Sequence, residues 1–375
     1  MTFVHEREDW PRFRWDDKVL APLLARVRHA QGRLLGKMES LGLAMRDETS
    51  LSVLTRDVVK SSAIEGEKLD ADEVRSSLAR RLGLDVAGLK PSGRDVDGIV
   101  EMMLDATQKY ELALTAERLY GWHAELFPAG WSGTSRIAVG KWRPKEAGAM
   151  QVVSGPIGRE RVHFVAPEAE RLDEEMQRFL TWFNGGDPID PVLRAGVAHF
   201  WFVTVHPFED GNGRIARAIA DMCLARADRS KQRFYSMSAQ IEAERKEYFL
   251  RLETQQRSDV DITPWLEWFL ACLERAIGAA EEAFASVLRR TRLWQALNHG
   301  SLNERQKAVI NRMIEGFEGN LTTSKYAKLS KCSADSALRD IRELVEQGIL
   351  AQNTAGGRST SYRLAETAEP RDVGE

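Results

Sequence analysis

The residues best suited to chemistry lie in one short stretch, residues 206–217, which reads HPFEDGNGRIAR. An imidazole titrates near neutral pH, so His206 is a candidate general base that would take a proton from an attacking hydroxyl group. Asp210 offers the hard oxygen ligands that Mg2+ prefers, which are usually one or two carboxylates together with substrate phosphates. Phe208 stands between polar neighbours and is expected to hold the loop against the core. The stretch therefore predicts a site that handles phosphate groups.

The second half of the stretch predicts an anion-binding start of a helix. Gly211 and Gly213 flank Asn212, and glycines can adopt backbone conformations that point consecutive N–H groups at one anion. If a helix begins near Gly213, Arg214 and Arg217 lie on one face of it, because they are three residues apart. Each guanidinium can bind phosphate oxygens through paired hydrogen bonds.

The apolar pattern predicts a mainly α-helical chain that positions this stretch. Helical spacing runs through residues 19–60, where it indicates an antiparallel pair, and it recurs in four later segments. The last of these is rich in apolar residues and is expected to be a buried helix that leads into the His206 loop. Two β-prone runs within residues 150–166, separated by a turn that contains glycine and proline, predict a β-hairpin. The four later segments are 96–111, 115–127, 168–183 and 190–205.

Residues 322–364 predict a separate unit. A short helix, a tight turn, a longer helix and a Gly-Arg hairpin follow one another, which is typical of a winged helix-turn-helix. Its second helix carries mixed charges, with Asp335, Asp340 and Glu343 beside Arg339 and Arg342, so both DNA binding and protein docking stay open. We accordingly expect an N-terminal helical region at 1–94, a core at 95–285, the winged helix at 286–364 and a disordered acidic tail at 365–375.

Composition limits the class of protein. The apolar share of 43% supports real hydrophobic cores, and the net charge of −3 favours neither nucleic acid nor a membrane surface as a general partner. The three cysteines are far apart in sequence, so a zinc site and a disulfide framework are not expected. No apolar run approaches the roughly 18 residues of a membrane span, and the charged N-terminus does not read as an export signal. A cytoplasmic protein without membrane contact is the expectation.

Residues 206–217 resemble the signature of the Fic family, His-x-Phe-x-Asp/Glu-Gly-Asn-Gly-Arg-x-x-Arg, and match it at every defined position. The resemblance implies transfer of AMP from ATP to a Ser, Thr or Tyr hydroxyl of a target protein, the chain itself included. It implies that His206 is the catalytic base and that Asp210 holds Mg2+. It further implies that Gly211, Asn212 and Gly213 cradle the phosphates while Arg214 and Arg217 bind the β- and γ-phosphates. It covers about residues 50–285.

A second motif, Ser61-Ser62-Ala63-Ile64-Glu65-Gly66, resembles the inhibitory motif of the same family. Ser61 and Glu65 are four residues apart and so lie on one face of a helix, which Gly66 is suited to end. The resemblance implies that Glu65 pairs with Arg217, occupies the site of the γ-phosphate and misaligns ATP. The chain is then an autoinhibited enzyme.

Other readings remain open at this point. In Fic proteins the hairpin at 150–166 is a flap beside the active site, where an extended segment of the target adds as a strand, although a purely structural hairpin gives the same pattern. With Glu65 orienting water, the same site could instead remove AMP from modified targets. A third reading is a DNA-binding regulator that uses the Fic core as a nucleotide sensor. A homodimer is compatible with each of them.

Overall fold

The computed structural model describes residues 2–84, 88–155, 159, 161–186, 188–297, 302–314, 320–353 and 360–365, with side chains omitted for 286–297 and 314. The described part is mainly helical, as expected. Within it, contacts divide the chain into two compact units, residues 1–280 and 281–375. The predicted disordered tail lies, from residue 366 onward, outside the described residues. None of the helices in the described ranges is long and apolar enough to cross a membrane.

The first unit holds ten of the described α-helices, the first half of the eleventh and two small hairpins. The expected antiparallel pair is present as the first two helices, and each later helical prediction has a counterpart shifted by a few residues at its ends. The helices are α1 (Asp17–Glu39), α2 (Leu43–Ile64), α3 (Ala71–Leu82), α4 (Arg94–Gln108), α5 (Ala116–Leu126), α6 (Leu172–Asn184), α7 (Pro191–Val205), α8 (Asn212–Asp228), α9 (Met237–Ala243), α10 (Arg245–Gln256) and α11 (Thr263–Leu297). The strands are β1 (Trp131–Ser132), β2 (Ser135–Arg136), β3 (Gln151–Ser154) and β4 (Arg161–Val165).

Local sequence explains where the helices next to the site begin and end. Asp190 caps α7 by accepting a hydrogen bond from the Val192 N–H, and Pro191 occupies the first turn, where its missing N–H costs nothing. Every residue from Val192 to Val205 is buried, so α7 forms the centre of the core, as its apolar composition predicts. Helix α8 packs against α7 and also contacts α2. The loop between α7 and α8 therefore has a rigid helix on each side.

The predicted hairpin at 150–166 is confirmed as the antiparallel pair β3–β4, with Gln151 opposite Val165 and Ser154 opposite Arg161. Side chains of helix α10 and of the residue after it form hydrogen bonds with strand β4 of this hairpin. Glu253 accepts hydrogen bonds from Arg161 at 2.9 Å and pairs with Nδ1 of His163 at 2.7 Å. Arg257 donates to the carbonyl oxygens of Val162 and His163. All four β3 residues are exposed.

The second unit contains three further helices, α12 (Glu304–Ile314), α13 (Thr323–Ser330) and α14 (Ala334–Glu346), with strands β5 (Leu321–Thr322), β6 (Leu350–Gln352) and β7 (Ser361–Leu364). The strands form an antiparallel sheet in the order β5-β7-β6. The helices and strands follow one another in the predicted order, and the winged helix-turn-helix itself stays a prediction. Asp340 of α14 is buried and accepts hydrogen bonds from Arg305, Asn303 and Tyr326, which ties the helices together.

Candidate active site

His206 ends α7 in a left-handed backbone conformation, with φ at 52°. Its Nδ1 lies 3.1 Å from the Val203 carbonyl oxygen. A carbonyl oxygen only accepts hydrogen bonds, so Nδ1 carries the proton and Nε2 keeps its lone pair. Burial lowers the pKa of His206 below its ordinary value of 6.5, and Arg143 adds to the effect. The imidazole is therefore neutral at pH 7 and able to accept a proton at Nε2.

Arg143 fixes the backbone of the His206 loop, a role that the sequence reasoning missed. Its Nε donates to the His206 carbonyl oxygen at 2.9 Å, and its own N–H donates to the Pro207 carbonyl oxygen at 2.8 Å. One of its two terminal nitrogens donates to the carbonyl oxygen of Pro167. The side chain is buried, and its guanidinium satisfies two carbonyl groups while its backbone N–H satisfies a third. A single arginine in an otherwise ordinary segment gave no signal of this role.

The two acidic residues of the loop have different surroundings. Glu209 accepts a hydrogen bond from the Ala138 N–H at 2.5 Å, so it connects the His206 loop to the segment that follows β2. Asp210 accepts from the Ser132 hydroxyl and, at 2.6 Å, from the Gly211 N–H. Asp210 also lines a cavity of about 340 Å³ that extends to Met150, next to the start of β3. The carboxylate predicted to hold a metal thus faces an open volume beside the hairpin.

Phe208 and Asn212 hold the loop in shape. Phe208 is fully buried, as expected, and stacks on the His123 ring with centroids 4.2 Å apart. The Asn212 side chain accepts from the Phe208 N–H at 2.9 Å and donates to the Phe208 carbonyl oxygen at 2.8 Å. Because both polar atoms of the amide are engaged, Asn212 has its backbone N–H, and not its side chain, to offer an anion.

Helix α8 begins at Asn212, directly after Gly211, whose φ of 81° is the left-handed conformation that glycine permits. The first N–H groups of a helix have no acceptor within it and carry partial positive charge. The backbone of Asn212, Gly213 and Arg214 supplies these groups here. The predicted helix start is therefore present, and anion binding by it stays a prediction.

Arg217 is held by the C-terminal turn of α2, as the inhibitory motif predicts. The guanidinium is buried and all three of its nitrogens are bonded there. Nε donates to the Ser61 hydroxyl at 2.9 Å, one terminal nitrogen to the Ser61 carbonyl oxygen at 2.8 Å, and the other to Glu65 Oε1 at 2.8 Å. Ser61 and Glu65 thus converge on the second arginine of the motif from about 150 residues away in sequence.

Gly213 lies against the same carboxylate. A Cβ atom at this position would be 3.0 Å from the Glu65 Cδ and 3.2 Å from the Arg217 guanidinium, and closer still to Glu65 Oε1. Only glycine leaves room for the Glu65 side chain, so the start of α8 and the end of α2 are fitted to each other.

Arg214 has a partner that sequence reasoning missed. Its guanidinium donates to Glu67 Oε2 at 2.6 Å and lies over the Phe127 ring, 5.1 Å from the centroid. Two acidic residues on either side of Gly66, in the sequence Glu65-Gly66-Glu67, face two arginines three residues apart. Two closely spaced acidic residues opposite two closely spaced arginines are the signal in the sequence that could have revealed the second pair.

Two further polar side chains lie in the core behind the motif. His199 is buried on α7, and its Nε2 lies 2.9 Å from the Tyr248 hydroxyl. Tyr248 is itself buried among aromatic rings of α11. No cluster of three or more acidic, histidine or cysteine side chains able to hold a metal occurs within the described ranges. Any metal here depends on Asp210 together with ligands from a substrate.

Comparison with known proteins finds two matching family models in this chain. Residues 113–224 match the Fic/DOC family, and residues 3–84 match a domain of unknown function, DUF4172. The chain is 28% identical over 237 residues to the protein adenylyltransferase fic-1 of Caenorhabditis elegans, a match that covers 62% of this chain and 42% of that protein. It is 33% identical over 117 residues to the protein adenylyltransferase Fic of Nematostella vectensis, covering 31% of this chain and 26% of that protein.

The fold has a solved counterpart. The crystal structure of a Fic family protein from Desulfovibrio desulfuricans G20 covers 93% of this chain, and 96% of that structure is matched, with a TM-score of 0.50 and 21% identity. The chain spans less than half the length of the two curated relatives, so their names describe those proteins as wholes. The motif that resembles the family signature lies inside the matched region, and the chain therefore carries a Fic/DOC family domain at residues 113–224.

Proposed function

We propose that this chain is a protein adenylyltransferase that transfers AMP from ATP to a hydroxyl side chain, Ser, Thr or Tyr, of a target protein or of itself. The observation that carries the proposal is the tautomer of His206, which leaves a neutral Nε2 available beside a helix start that carries two buried arginines. Base and anion site belong to one loop, which Arg143 and Asn212 hold rigid from both ends. The names of the curated relatives agree with this reaction class.

The proposed reaction is one displacement at the α-phosphorus. The target hydroxyl loses its proton to His206 Nε2, and its oxygen bonds the α-phosphorus as the bond to the β-phosphate oxygen breaks. Pyrophosphate leaves with both electrons of that bond. The first-turn N–H groups of α8 and the guanidinium groups of Arg214 and Arg217 stabilise the negative charge on the β- and γ-phosphates. Most of the rate then comes from position and charge, and no covalent enzyme intermediate is needed.

Asp210 fits the metal that such a reaction uses. Mg2+ is commonly bound by one or two carboxylates plus substrate phosphates, and Asp210 offers a carboxylate that lines an open cavity. When bound, Mg2+ would neutralise phosphate charge and help the pyrophosphate to leave. Ser132 and the Gly211 N–H orient the carboxylate for this role.

The hairpin β3–β4 is proposed to receive the target. Arg257 already bonds the Val162 and His163 carbonyl groups of β4, whereas the four β3 residues are exposed. An extended segment of the target could add to the β3 edge and present its hydroxyl group near the cavity beside Asp210. The second unit, with its mixed-charge helix α14, is proposed to contact DNA or another protein.

The end of α2 is proposed to inhibit the enzyme. Glu65 and Ser61 accept bonds from all three nitrogens of Arg217, so a phosphate that takes the position of Glu65 must displace it. Like charge between Glu65 and a γ-phosphate would shift ATP away from the position that aligns its α-phosphorus. Residues 1–94 then serve as the regulatory region of the domain. A carboxylate in this place could also orient water, so removal of AMP from a modified target is the second candidate.

Intact-protein mass spectrometry tests the proposal directly. Wild type, Glu65→Gly and Glu65→Gly/His206→Ala are incubated with ATP and Mg2+, and the masses are searched for an added AMP. We expect the adduct in Glu65→Gly alone. An adduct that persists in the double variant refutes His206 as the base, and an adduct of equal yield in wild type refutes the inhibitory role of Glu65. Loss of AMP from pre-modified protein, faster with Glu65 present, would favour the second candidate.

A further inference from the structure

Glu67 is the acidic residue that the proposed mechanism does not use, and its position is set by the same turn that sets Glu65. Helix α2 ends at Ile64, and the Glu67 N–H donates back to the Ser62 carbonyl oxygen at 3.0 Å. Gly66, with φ at 89°, makes the left-handed step that ends the helix in this way. Residues 65–67, called here the acidic turn, therefore present two carboxylates from one fixed piece of backbone.

The two arginines of the motif are held very differently by the acidic turn. Arg217 has all three nitrogens bonded to Ser61 and Glu65. Arg214 is equally buried, with its side chain 3% exposed, but its contact with the acidic turn is the single bond to Glu67. The Arg214 Nε has no hydrogen-bond partner in the described part of the chain. A buried guanidinium with an unmet donor is a site prepared for a further anion.

Glu67 is the more easily displaced of the two carboxylates. Its side chain is 43% exposed, against 30% for Glu65. A half-exposed carboxylate recovers much of its hydration when it leaves, so an incoming phosphate can replace it at modest cost. A phosphate could bond the terminal nitrogen that Glu67 uses through one oxygen and the other terminal nitrogen through a second oxygen, whereas Glu67 accepts from one nitrogen only.

From this geometry we infer that Glu67 is a second, independent competitor of the nucleotide: it occupies the phosphate position of Arg214 while Glu65 occupies that of Arg217. Glu67 is thereby a specificity-determining residue that weakens binding of nucleotides carrying a β-phosphate and leaves AMP unaffected. The inference rests on the proposed function for the identity of the ligand. It implies that Glu65→Gly alone opens one arginine and leaves the other closed.

Nucleotide affinity in the full chain tests the inference without relying on transfer. ATP, ADP and AMP, each with Mg2+, are titrated by calorimetry into wild type, Glu67→Gln, Glu65→Gly and the double variant. Gln keeps the size of the side chain and removes its charge. We expect ATP and ADP to bind about fivefold more tightly to Glu67→Gln than to wild type, with AMP unchanged, and the same factor to recur in the Glu65→Gly background.

Glu242→Gln is the control for the loss of a partly exposed carboxylate, because Glu242 is 32% exposed and pairs with Lys60 of α2 without touching the motif. We expect this variant to leave all three affinities as in wild type. Equal tightening for AMP and ADP, or the same tightening in the control, would show a general charge effect and overturn the inference. Unchanged ADP affinity in Glu67→Gln would overturn it as well.

The result also separates this inference from the proposed function. If ADP binds more tightly to Glu67→Gln while no variant ever transfers AMP, the role of Glu67 stands and the proposed reaction is wrong. If AMP transfer is seen but ADP affinity does not change in Glu67→Gln, the proposed reaction stands and the role of Glu67 is wrong. Failure of every variant to bind any of the three nucleotides would refute both.

Discussion

The fit between Gly213 and Glu65 allows a test of the acidic turn by protein stability alone. In Gly213→Ala, the added Cβ lies 3.0 Å from the Glu65 Cδ and nearer still to Oε1, closer than real Cβ atoms approach their neighbours. The atom in the way is the end of a flexible side chain, so the carboxylate swings aside and leaves the α8 backbone in place. Arg217 then loses the 2.8 Å hydrogen bond that Glu65 accepts.

The size of the effect follows from the burial of the pair. Arg217 is 2% exposed and Glu65 is 30% exposed, so the bond belongs near the lower end of the range for charged hydrogen bonds, about 1.5 kcal/mol. Alanine in place of glycine in a helix returns up to about 1 kcal/mol. Glu65→Gly removes the same bond by another route. Because one bond cannot be lost twice, we expect the two substitutions to be non-additive by about 1.5 kcal/mol.

Urea unfolding followed by tryptophan fluorescence measures this coupling. Nine of the ten tryptophans lie between Trp10 and Trp268, so the signal reports on the first unit. The free energy of unfolding is compared for wild type, Gly213→Ala, Glu65→Gly and the double variant. The comparison requires that the dependence of this free energy on urea concentration has the same slope in all four proteins. Gly213→Ala should destabilise wild type, or leave it nearly unchanged, and should stabilise the Glu65→Gly variant.

A matched pair supplies the control. Gly213→Ala combined with Glu242→Gln should be additive within about 0.5 kcal/mol, because Glu242 pairs with Lys60 and not with the motif. If Gly213→Ala and Glu65→Gly also prove additive, the carboxylate does not lie against Gly213 and the reasoning about the acidic turn is refuted.

Three further outcomes follow from the site and its surroundings. Because burial lowers the pKa of His206 below 6.5, AMP transfer by an activated variant should be flat from pH 8 to 6.5 and fall only at lower pH; a fall centred above pH 7 in the kcat/KM profile would contradict this. Burial lowers the pKa of His123 to about 4 and of His199 to about 3, so below pH 6.5 the unfolded chain binds protons that the folded chain does not. Stability should therefore drop by about 2 kcal/mol per histidine between pH 7 and 5. Burial also lowers the pKa of His5 to about 4 and lowers that of His206, so His199→Gln should remove about a quarter to a third of the drop, read from the urea midpoint. Glu253→Gln weakens the anchor of β4 through His163, so KM for a protein target should rise several-fold with KM for ATP unchanged; equal changes in both would argue against a docking role of the hairpin.

Much of the fold was predictable because the signals are local. The apolar spacing of α7 and the two β-prone runs that form β3 and β4 are read directly from sequence. The site residues were also predictable as a set, because His206 to Arg217 occupy one loop and one helix turn. Convergence of Ser61 and Glu65 on Arg217 was expected only through a family resemblance, since sequence spacing alone does not bring α2 to α8.

What sequence reasoning missed depends on contacts between distant segments. Glu67 reads as a surface charge until Gly66 is seen to turn it toward Arg214. Arg143 sits in a segment with no regular period, and its three carbonyl partners come from two other loops. The bracing of the Phe208 backbone by the side-chain amide of Asn212 was not expected either, while phosphate binding by its backbone N–H stays a prediction. Each of these roles requires knowing which backbone groups lack partners, and that is a property of the assembled fold.

The order of α2 and α8 along the chain has a consequence for biosynthesis. A ribosome makes the acidic turn about 140 residues before it makes Gly211 to Arg217. Domains generally begin to fold as they emerge, so the carboxylates of Glu65 and Glu67 are already present when the two arginines first find a buried position. Since burying an unpaired guanidinium is costly, pairing with the acidic turn would assist the final docking of α8. A newly made molecule would then reach its folded state with both arginines covered, and the proposed transfer reaction would require their release afterwards.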